Sequence, residues 1–350
     1  MSISSTLINW YLQKKRNLPW RNTSNPYHIW ISEIILQQTR VAQGLDYYNR
    51  FVTRFPDIKT LANAELEEVL KVWQGLGYYS RARNLHAGAE YVVQQLNGIF
   101  PTDYSNLLKI KGVGEYTAAA IGSFAFNLPV PVVDGNVNRV IARIFGVHEP
   151  IDTPAGAKII KEFAGKIIDK TDPSTHNQAI MEFGALQCTI SNPDCGSCPL
   201  NKECYAFTHN EVNLLPIKIK RTKVRNRYFN YLVILCEKDT YLIKRQEKDI
   251  WHGLYEFPLI ETDGEINQKE LIKTDRWKSI FADNSYKIEN VSATYKHLLS
   301  HQTIHAKFYL IKATKEPDVS ECKFIKTSTS EIQQFPVSKL IDNYLSTLNW

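Results

Sequence analysis

The chain has 350 residues, of which 43% are hydrophobic and 22% are charged, so the length and composition predict two folded domains. The sequence shows no secretory signal pattern and no apolar run long enough to cross a bilayer, which indicates a cytosolic protein with reduced thiols. We expect a monomer in the bacterial cytosol or nucleoid. The formal charge of +6 is compatible with a polyanionic partner but does not establish one.

The first informative segment is YHIWISEIILQQTRV, residues 27–41. Only Ser32 and Glu33 interrupt its apolar run from Ile29 to Leu36. An acid in such surroundings is rarely exposed without reason, and burial raises a carboxyl pKa towards the range that a general acid needs. A solvated acid on one helix face is the alternative, and the segment alone leaves both interpretations open.

Residues 105–126, SNLLKIKGVGEYTAAAIGSFAF, predict a helix, a tight glycine turn and a second helix. The apolar face of the first helix is predicted from Leu107, Leu108 and Ile110. Gly112 and Gly114 bracket Val113 at the turn, where backbone N–H groups at a helix start bind phosphate without reading sequence. An ordinary tight helix–helix connection is the alternative.

In PVPVVDGNVNRVIARIFG, residues 129–146, apolar residues recur at helical spacing and predict a helix that begins near Gly135. Asp134 stands directly before this helix and has the position of an N-cap. Asn136 lies close enough in sequence to orient the Asp134 carboxylate.

Four of the six cysteines lie in CTISNPDCGSCPLNKEC, with the spacing C-x6-C-x2-C-x5-C. Four thiolates complete the ligand shell of a zinc ion or of an iron–sulfur cube. A structural zinc site usually has two short knuckles, and because only one is present the spacing favours the cluster. The predicted ligands are Cys188, Cys195, Cys198 and Cys204.

The cysteine spacing and the pattern L-x-x-I-x-G-V-G resemble the endonuclease III superfamily of DNA glycosylases. Within that superfamily, LQQTRV and VDGN resemble the adenine DNA glycosylases of the MutY kind, and the resemblance covers about residues 5–345. It implies a [4Fe–4S] cofactor and monofunctional hydrolysis of adenine from double-stranded DNA, opposite 8-oxoguanine or guanine. Endonuclease III-like lyase activity and a non-catalytic DNA-binding iron–sulfur protein are the alternatives.

The resemblance also implies roles for single residues. Glu33 would protonate the departing adenine, and Asp134, aided by Asn136, would stabilise or attack the sugar cation. Tyr116 stands where the lyases carry a lysine, so no Schiff base is expected. The residues implied for DNA and base contacts are Arg16, Trp20, Arg21, Leu36 and Glu182 in the adenine pocket, Gln38 and Thr39 near the orphaned base, Tyr78 as the wedge, and Gly112, Val113 and Gly114 on the DNA backbone.

The composition changes after the cysteine loop. We predict a mainly α helix–hairpin–helix glycosylase domain with its iron–sulfur loop over 1–210, a basic linker over 211–227, and an α+β Nudix-like domain over 228–350. WHGLYEFP resembles that domain in the MutY kind, and no active Nudix helix follows it. Ser300 and His301 resemble the turn that contacts 8-oxoguanine, although Leu299 replaces the usual aromatic residue.

Overall fold

The computed structural model describes residues 2–219, 224–281, 286–317 and 324–348. The chain forms two compact units, the first from Met1–Asn63 with Asn84–Lys220 and the second from Ala64–Arg83 with Arg221–Trp350. The second unit thus includes a segment that the predicted boundaries assign to the helical domain. None of the described helices combines the length and apolar character needed to span a membrane.

Helices dominate the first half of the chain. The described α-helices are α1 Ile3–Lys14, α2 Pro26–Leu36, α3 Val41–Arg54, α4 Ile58–Ala62, α5 Leu66–Val72, α6 Ser80–Leu96, α7 Tyr104–Leu107, α8 Glu115–Phe126, α9 Gly135–Phe145, α10 Pro154–Ile167, α11 Pro173–Leu186, α12 Tyr205–Thr208, α13 Gln268–Leu271, α14 Asp275–Ile280 and α15 Lys339–Leu345. In the first unit a core of aliphatic and aromatic side chains joins α1, α9, α10 and α11.

Local sequence signals explain where the helices of the first unit begin and end. The Asn25 side chain accepts a hydrogen bond from the Tyr27 backbone, and Pro26 occupies the first turn of α2, where its missing N–H costs nothing. Helix α9 starts after Asp134, as predicted, and ends at Gly146, whose φ of 64° suits glycine.

The predicted helix–turn–helix is present, with one correction to its first helix. Helix α7 ends at Leu107, and Gly112 supplies the turn with a φ of 81° before α8 begins. Leu107 and Ile110 are buried, but Leu108 is 38% exposed, so the predicted apolar face of three residues is wrong. Leu107 and Ile110, three residues apart, share the buried side of this segment, and Leu108, next to Leu107, does not.

The second unit is built on a mixed sheet. Its strands are β1 Arg225–Cys236, β2 Asp239–Lys244, β3 Tyr255–Glu256, β4 Leu259–Thr262, β5 Tyr286–Val291, β6 Tyr295–Leu298, β7 Gln302–Ala313 and β8 Ile325–Ser328. They follow the order β3-β2-β1-β7-β5, while β4 pairs with β1, β6 with β7 and β8 with β2. The central pair β1–β7 is parallel. The predicted class, a helical domain followed by an α+β domain, is confirmed.

The linker prediction is wrong at its C-terminal end, because β1 already begins at Arg225. Arg227 is buried and its guanidinium pairs with Asp249 at 2.8 Å and Glu261 at 2.7 Å, so it is not available to phosphate. At the other end, the Ile217 carbonyl accepts a 3.0 Å hydrogen bond from the Ile151 backbone within the first unit. Residues 220–223 of the predicted linker lie outside the described residues.

The close approach of α11 to α9 generates a prediction about stability. A Cβ at Gly184 of α11 would stand 2.7 Å from Asn136 Cβ and 3.0 Å from the Asn136 carbonyl, at the start of α9. We expect Gly184→Ala to lower the free energy of unfolding by about 1–3 kcal/mol through overpacking. Gly165→Ala is the control, because a Cβ there meets nothing within 4 Å and should stabilise α10 by about 0.5–1 kcal/mol. Denaturation of both variants measures this, and equal effects would contradict it.

Candidate active site

A cavity of about 670 Å³ in the first unit collects most of the predicted catalytic and base-binding residues. Its walls come from α2, α8, α9 and α11 with the loops on either side of α2. The predicted residues that line it are Arg16, Trp20, Arg21, Glu33, Leu36, Gln38, Thr39, Tyr116, Asp134, Asn136 and Glu182. Its volume lies within the range of about 300–1,000 Å³ that is usual for small-molecule sites.

Glu33 lies on α2 with only 6% of its surface exposed, so the alternative of a solvated acid is wrong. The pKa of Glu33 is raised to about 7, mainly by burial and also by the charge of Asp134. The hydrogen bond from Tyr116 acts in the opposite direction and lowers this pKa. The Tyr116 hydroxyl donates to Glu33 Oε2 at 2.5 Å. Glu33 can therefore hold a transferable proton near neutral pH.

Asp134 both caps α9 and faces the cavity. Its carboxylate accepts hydrogen bonds of 2.8 Å from the backbone of Asn136, the backbone of Val137 and the Asn136 side-chain amide. Burial raises the pKa of Asp134, while these three donors lower it. The positive end of the α9 dipole also favours the charged form. Of the two carboxyl groups, Asp134 is therefore the better placed to be ionised.

Glu182 forms a charged cluster with Arg16 and Arg21 at one side of the cavity. The Glu182 side chain is fully buried and accepts from Arg21 Nη1 and Nη2 at 2.8 and 2.7 Å and from Arg16 Nε at 2.8 Å. Burial raises the pKa of Glu182, but the hydrogen bonds from both arginines outweigh it and bring that pKa to about 2. Both arginines thus donate hydrogen bonds to Glu182. The sequence did not predict these contacts.

The loop after α2 forms the rim of the cavity. Gln38 has a φ of 57° and is exposed, and the Thr39 backbone donates to the Leu36 carbonyl at 3.2 Å. Trp20 lies deeper, where its ring meets Tyr48 edge-on with centroids 5.1 Å apart. The rim residues can therefore reach a macromolecule outside, while Trp20 shapes the interior.

The cavity residues that were missed from the sequence include Gln37, Asn138, Gln178 and Met181. Gln178 lies one turn before Glu182 on α11, and Asn138 lies one turn after Asp134 on α9. Their helical spacing from predicted site residues was the signal that could have found them.

The other predicted residues lie outside this cavity. Val113 is buried in the turn before α8, and a Cβ at Gly114 would meet nothing within 4 Å, so the backbone there is accessible. In the second unit, Ser300 and His301 are exposed in the turn between β6 and β7. Tyr78 is 45% exposed, and its hydroxyl forms a short hydrogen bond with Ser300 Oγ.

The four loop cysteines line one small cavity together with Arg143. Burial and, to a smaller extent, the three neighbouring cysteines raise the pKa of Cys198 to about 11, while a hydrogen bond from the Leu200 backbone lowers it. Thiols this close ionise together only when a positive charge lies among them, and a bound metal cluster supplies one. Within the described residues, no three His, Cys, Asp or Glu side chains are arranged to hold a single metal ion. The donor set, four sulfurs around one space, fits a cluster.

Two arginines on α9 connect the cysteine loop with the cavity. Arg139 donates from Nε to the Cys188 carbonyl at 2.7 Å and from Nη2 to Asn136 Oδ1 at 3.0 Å. Arg143 donates to the Thr189 carbonyl at 2.7 Å and to Cys188 Sγ at 3.4 Å. The loop is therefore fixed to the same helix that carries Asp134.

Comparisons with known proteins agree with this geometry. The family model described as HhH-GPD superfamily base excision DNA repair protein matches residues 31–166, and a NUDIX domain model matches residues 230–347. The chain is 38% identical to the adenine DNA glycosylase of Buchnera aphidicola subsp. Baizongia pistaciae over 86% of this chain and 83% of that relative. It is 32% identical to the adenine DNA glycosylase of Buchnera aphidicola subsp. Acyrthosiphon pisum over 97% of each chain.

Solved structures share the fold of the helical part. A thermostable thymine-DNA glycosylase is similar with 28% identity and a TM-score of 0.55, over 59% of this chain and 95% of that one. A non-covalent endonuclease III–DNA complex is similar in fold with 24% identity and a TM-score of 0.51, over 59% of this chain and 94% of that one.

The pKa of Glu33 can be tested by titration. In protein carrying carboxyl-labelled glutamate, we expect one NMR resonance, absent from Glu33→Gln, to titrate near pH 7. Tyr116→Phe removes the hydrogen bond that lowers this pKa and should move the midpoint to higher pH. A midpoint near 4.5 in the native protein, the ordinary value, would contradict the assignment.

Proposed function

We propose that this chain, which belongs to the adenine DNA glycosylase family and is a DNA glycosylase of base excision repair, releases adenine from DNA. It hydrolyses the N-glycosidic bond of an adenine that stands opposite 8-oxoguanine or guanine. The observation that carries this proposal is the meeting of two carboxyl groups in one cavity, one buried in an apolar helix and the other at a helix N-terminus. Glu33 is buried with a pKa of about 7, and Asp134 is held by three N–H donors.

The two carboxyl groups divide the reaction between them. Glu33 donates its proton to a ring nitrogen of adenine, so that the base leaves as a neutral molecule. The bond between base and sugar then breaks with positive charge on the sugar ring, which the Asp134 carboxylate stabilises until a water molecule adds at C1′. The proton that this water loses replaces the one that Glu33 gave to adenine. Asn136 orients Asp134 through its side-chain amide. Glu182, with Arg16 and Arg21, forms the polar side of the pocket that receives the base.

Hydrolysis without strand cleavage is proposed because the cavity offers no amine. Tyr116, whose hydroxyl is bonded to Glu33, occupies the position of the lyase lysine. No lysine lines the cavity in the part of the chain that the structure describes. A Schiff base with the sugar requires such an amine, so the reaction ends at an abasic site.

Contacts with DNA are proposed for both units. The backbone around Gly112, Val113 and Gly114 binds a phosphate at the start of α8, while Gln38 and Thr39 lie on the cavity rim near the orphaned base. Tyr78 enters the duplex as the wedge that partly offsets the cost of extruding adenine, a few kcal/mol of lost stacking. Ser300 and His301 contact the base opposite adenine.

A [4Fe–4S] cluster is proposed in the cysteine loop, held by Cys188, Cys195, Cys198 and Cys204. When bound, it supplies a structural cross-link and positive charge for four thiolates, and no ligand position remains for a substrate. The loop's own contacts, through Arg139 and Arg143, keep it against α9.

Adenine release from defined duplexes tests the proposed reaction. With adenine opposite 8-oxoguanine, we expect strand breaks to appear only after alkali, since the enzyme leaves an abasic site. Glu33→Gln should still bind DNA, while excision falls about 10²–10⁴-fold because the proton donor is lost.

Glu162→Gln, a change to an exposed carboxylate of α10, is the matched control and should keep full activity. Breaks without alkali would indicate a lyase, and DNA binding with no excision by the native protein would indicate a binding module.

The metal content tests the proposed cofactor. We expect about four iron and four acid-labile sulfide per chain in the purified native protein. Cys198→Ser should lose most of this iron and bind DNA more weakly, because the loop loses a ligand. Cys236→Ser, a cysteine of β1 outside the loop, should keep the native iron content. One equivalent of zinc with no iron or sulfide would overturn the cluster.

A further inference from the structure

The segment 64–83 belongs to the second unit, although it lies between two parts of the first unit in the sequence. It contains α5 and the loop that carries Tyr78. Tyr78, one of the predicted DNA-contacting residues, therefore belongs to the unit that contains Ser300 and His301. Glu33 belongs to the other unit.

A carboxylate anchors the start of this segment. Glu67 Oε1 accepts a 2.6 Å hydrogen bond from Lys244 Nζ and a 2.7 Å hydrogen bond from the Tyr255 hydroxyl. Lys244 on β2 and Tyr255 on β3 are paired residues of neighbouring strands. The hydrogen bond from Lys244 is the main cause that lowers the pKa of Glu67, so this side chain is ionised at neutral pH. One carboxylate thus ties α5 to two strands.

Further contacts anchor the rest of the segment. Gln74 donates to Asp342 on α15 at 3.2 Å and accepts from the Val337 backbone at 3.3 Å. The buried Tyr79 hydroxyl donates to the Val337 carbonyl at 3.3 Å. Arg83 donates to the His252 carbonyl at 2.7 Å. The attachments stand on both sides of Tyr78 in the sequence.

Tyr78 itself is held in an unusual conformation. Its φ is 48°, in the left-handed region that residues with a side chain rarely adopt, and it follows Gly77 with a φ of 73°. Such a backbone persists only where surrounding contacts enforce it, and it often marks a functional position. The strain places an exposed ring beside the β6–β7 turn, where its hydroxyl meets Ser300 Oγ.

We propose that Glu67 is a positioning residue for recognition of the opposite base: its bonds to Lys244 and Tyr255 hold the segment 64–83 so that Tyr78 stays against Ser300. This inference rests on the proposed function. Glu67 acts on Tyr78 and Ser300 indirectly, through the attachment of α5 to β2 and β3.

A charge reversal tests the proposal in the full-length protein. Glu67→Lys places two ammonium groups together and should detach α5 from β2. We expect the ratio of single-turnover excision rates, adenine opposite 8-oxoguanine over adenine opposite guanine, to fall about two- to fivefold, the scale of one lost ion pair between partly exposed side chains. The rate opposite guanine should stay within about twofold of native, because the catalytic cavity lies in the other unit.

Two variants control for charge and for pairing. Glu65→Lys makes the same charge change on an exposed side chain two residues away and should keep the native ratio. Glu67→Lys with Lys244→Glu exchanges the pair and should restore most of the ratio. When Glu67→Lys is added to Ser300→Ala/His301→Ala, little further loss is expected, because both changes act on the same recognition.

The outcomes separate the two proposals. A native ratio in Glu67→Lys, an equal fall of both rates, or the same loss in Glu65→Lys would each overturn the positioning role. If the native protein excises adenine opposite neither base, the proposed function itself fails. If it excises adenine equally well opposite both bases, Ser300 and His301 do not discriminate between them, and only the positioning role is overturned.

Discussion

Burial of the Glu33 carboxyl group among the apolar residues of α2 raises its pKa to about 7, and the charge of Asp134 also raises this pKa. A guanidinium bonded directly to Glu33 would favour the ionised form and remove the acid. Arg16 and Arg21 instead form hydrogen-bonded ion pairs with Glu182, which takes up their donors. The direct partner of Glu33 is the neutral hydroxyl of Tyr116.

Helix α9 connects this chemistry with the cysteine loop. Asp134 stands at its N-terminus, where backbone donors and the helix dipole favour a carboxylate. Arg139, further along the same helix, bonds both to Asn136 beside the cavity and to the Cys188 carbonyl of the loop. Because Gly184 lets α11 approach the start of α9, Glu182 and Asp134 line the same cavity. A small displacement of α9 would therefore move both Asp134 and the cysteine loop.

The second unit uses buried ion pairs for a different purpose. Arg245, directly after β2, forms a 2.7 Å ion pair with Glu256 of β3, and Arg227 of β1 forms one with Glu261 of β4. Loss of one partner would leave a buried charge unpaired, which is strongly destabilising. These pairs brace the strands beside β7, which with β6 presents the turn carrying Ser300. Arg227, which the sequence assigned to the basic linker, is thus part of the frame for that turn.

The sequence by itself determined the features that depend on neighbouring residues: the helical and α+β halves, the glycine turn at Gly112, the start of α9 after Asp134, and the four clustered cysteines. It also identified Glu33, because one acid within an apolar run is visible without coordinates. Only the tertiary structure decided which partners the charged groups take. The bonds from Arg16 and Arg21 to Glu182, the burial of Arg227, and the packing of Tyr78 with Ser300 join residues more than 20 positions apart, and the free energy of such contacts depends on packing that local patterns do not encode.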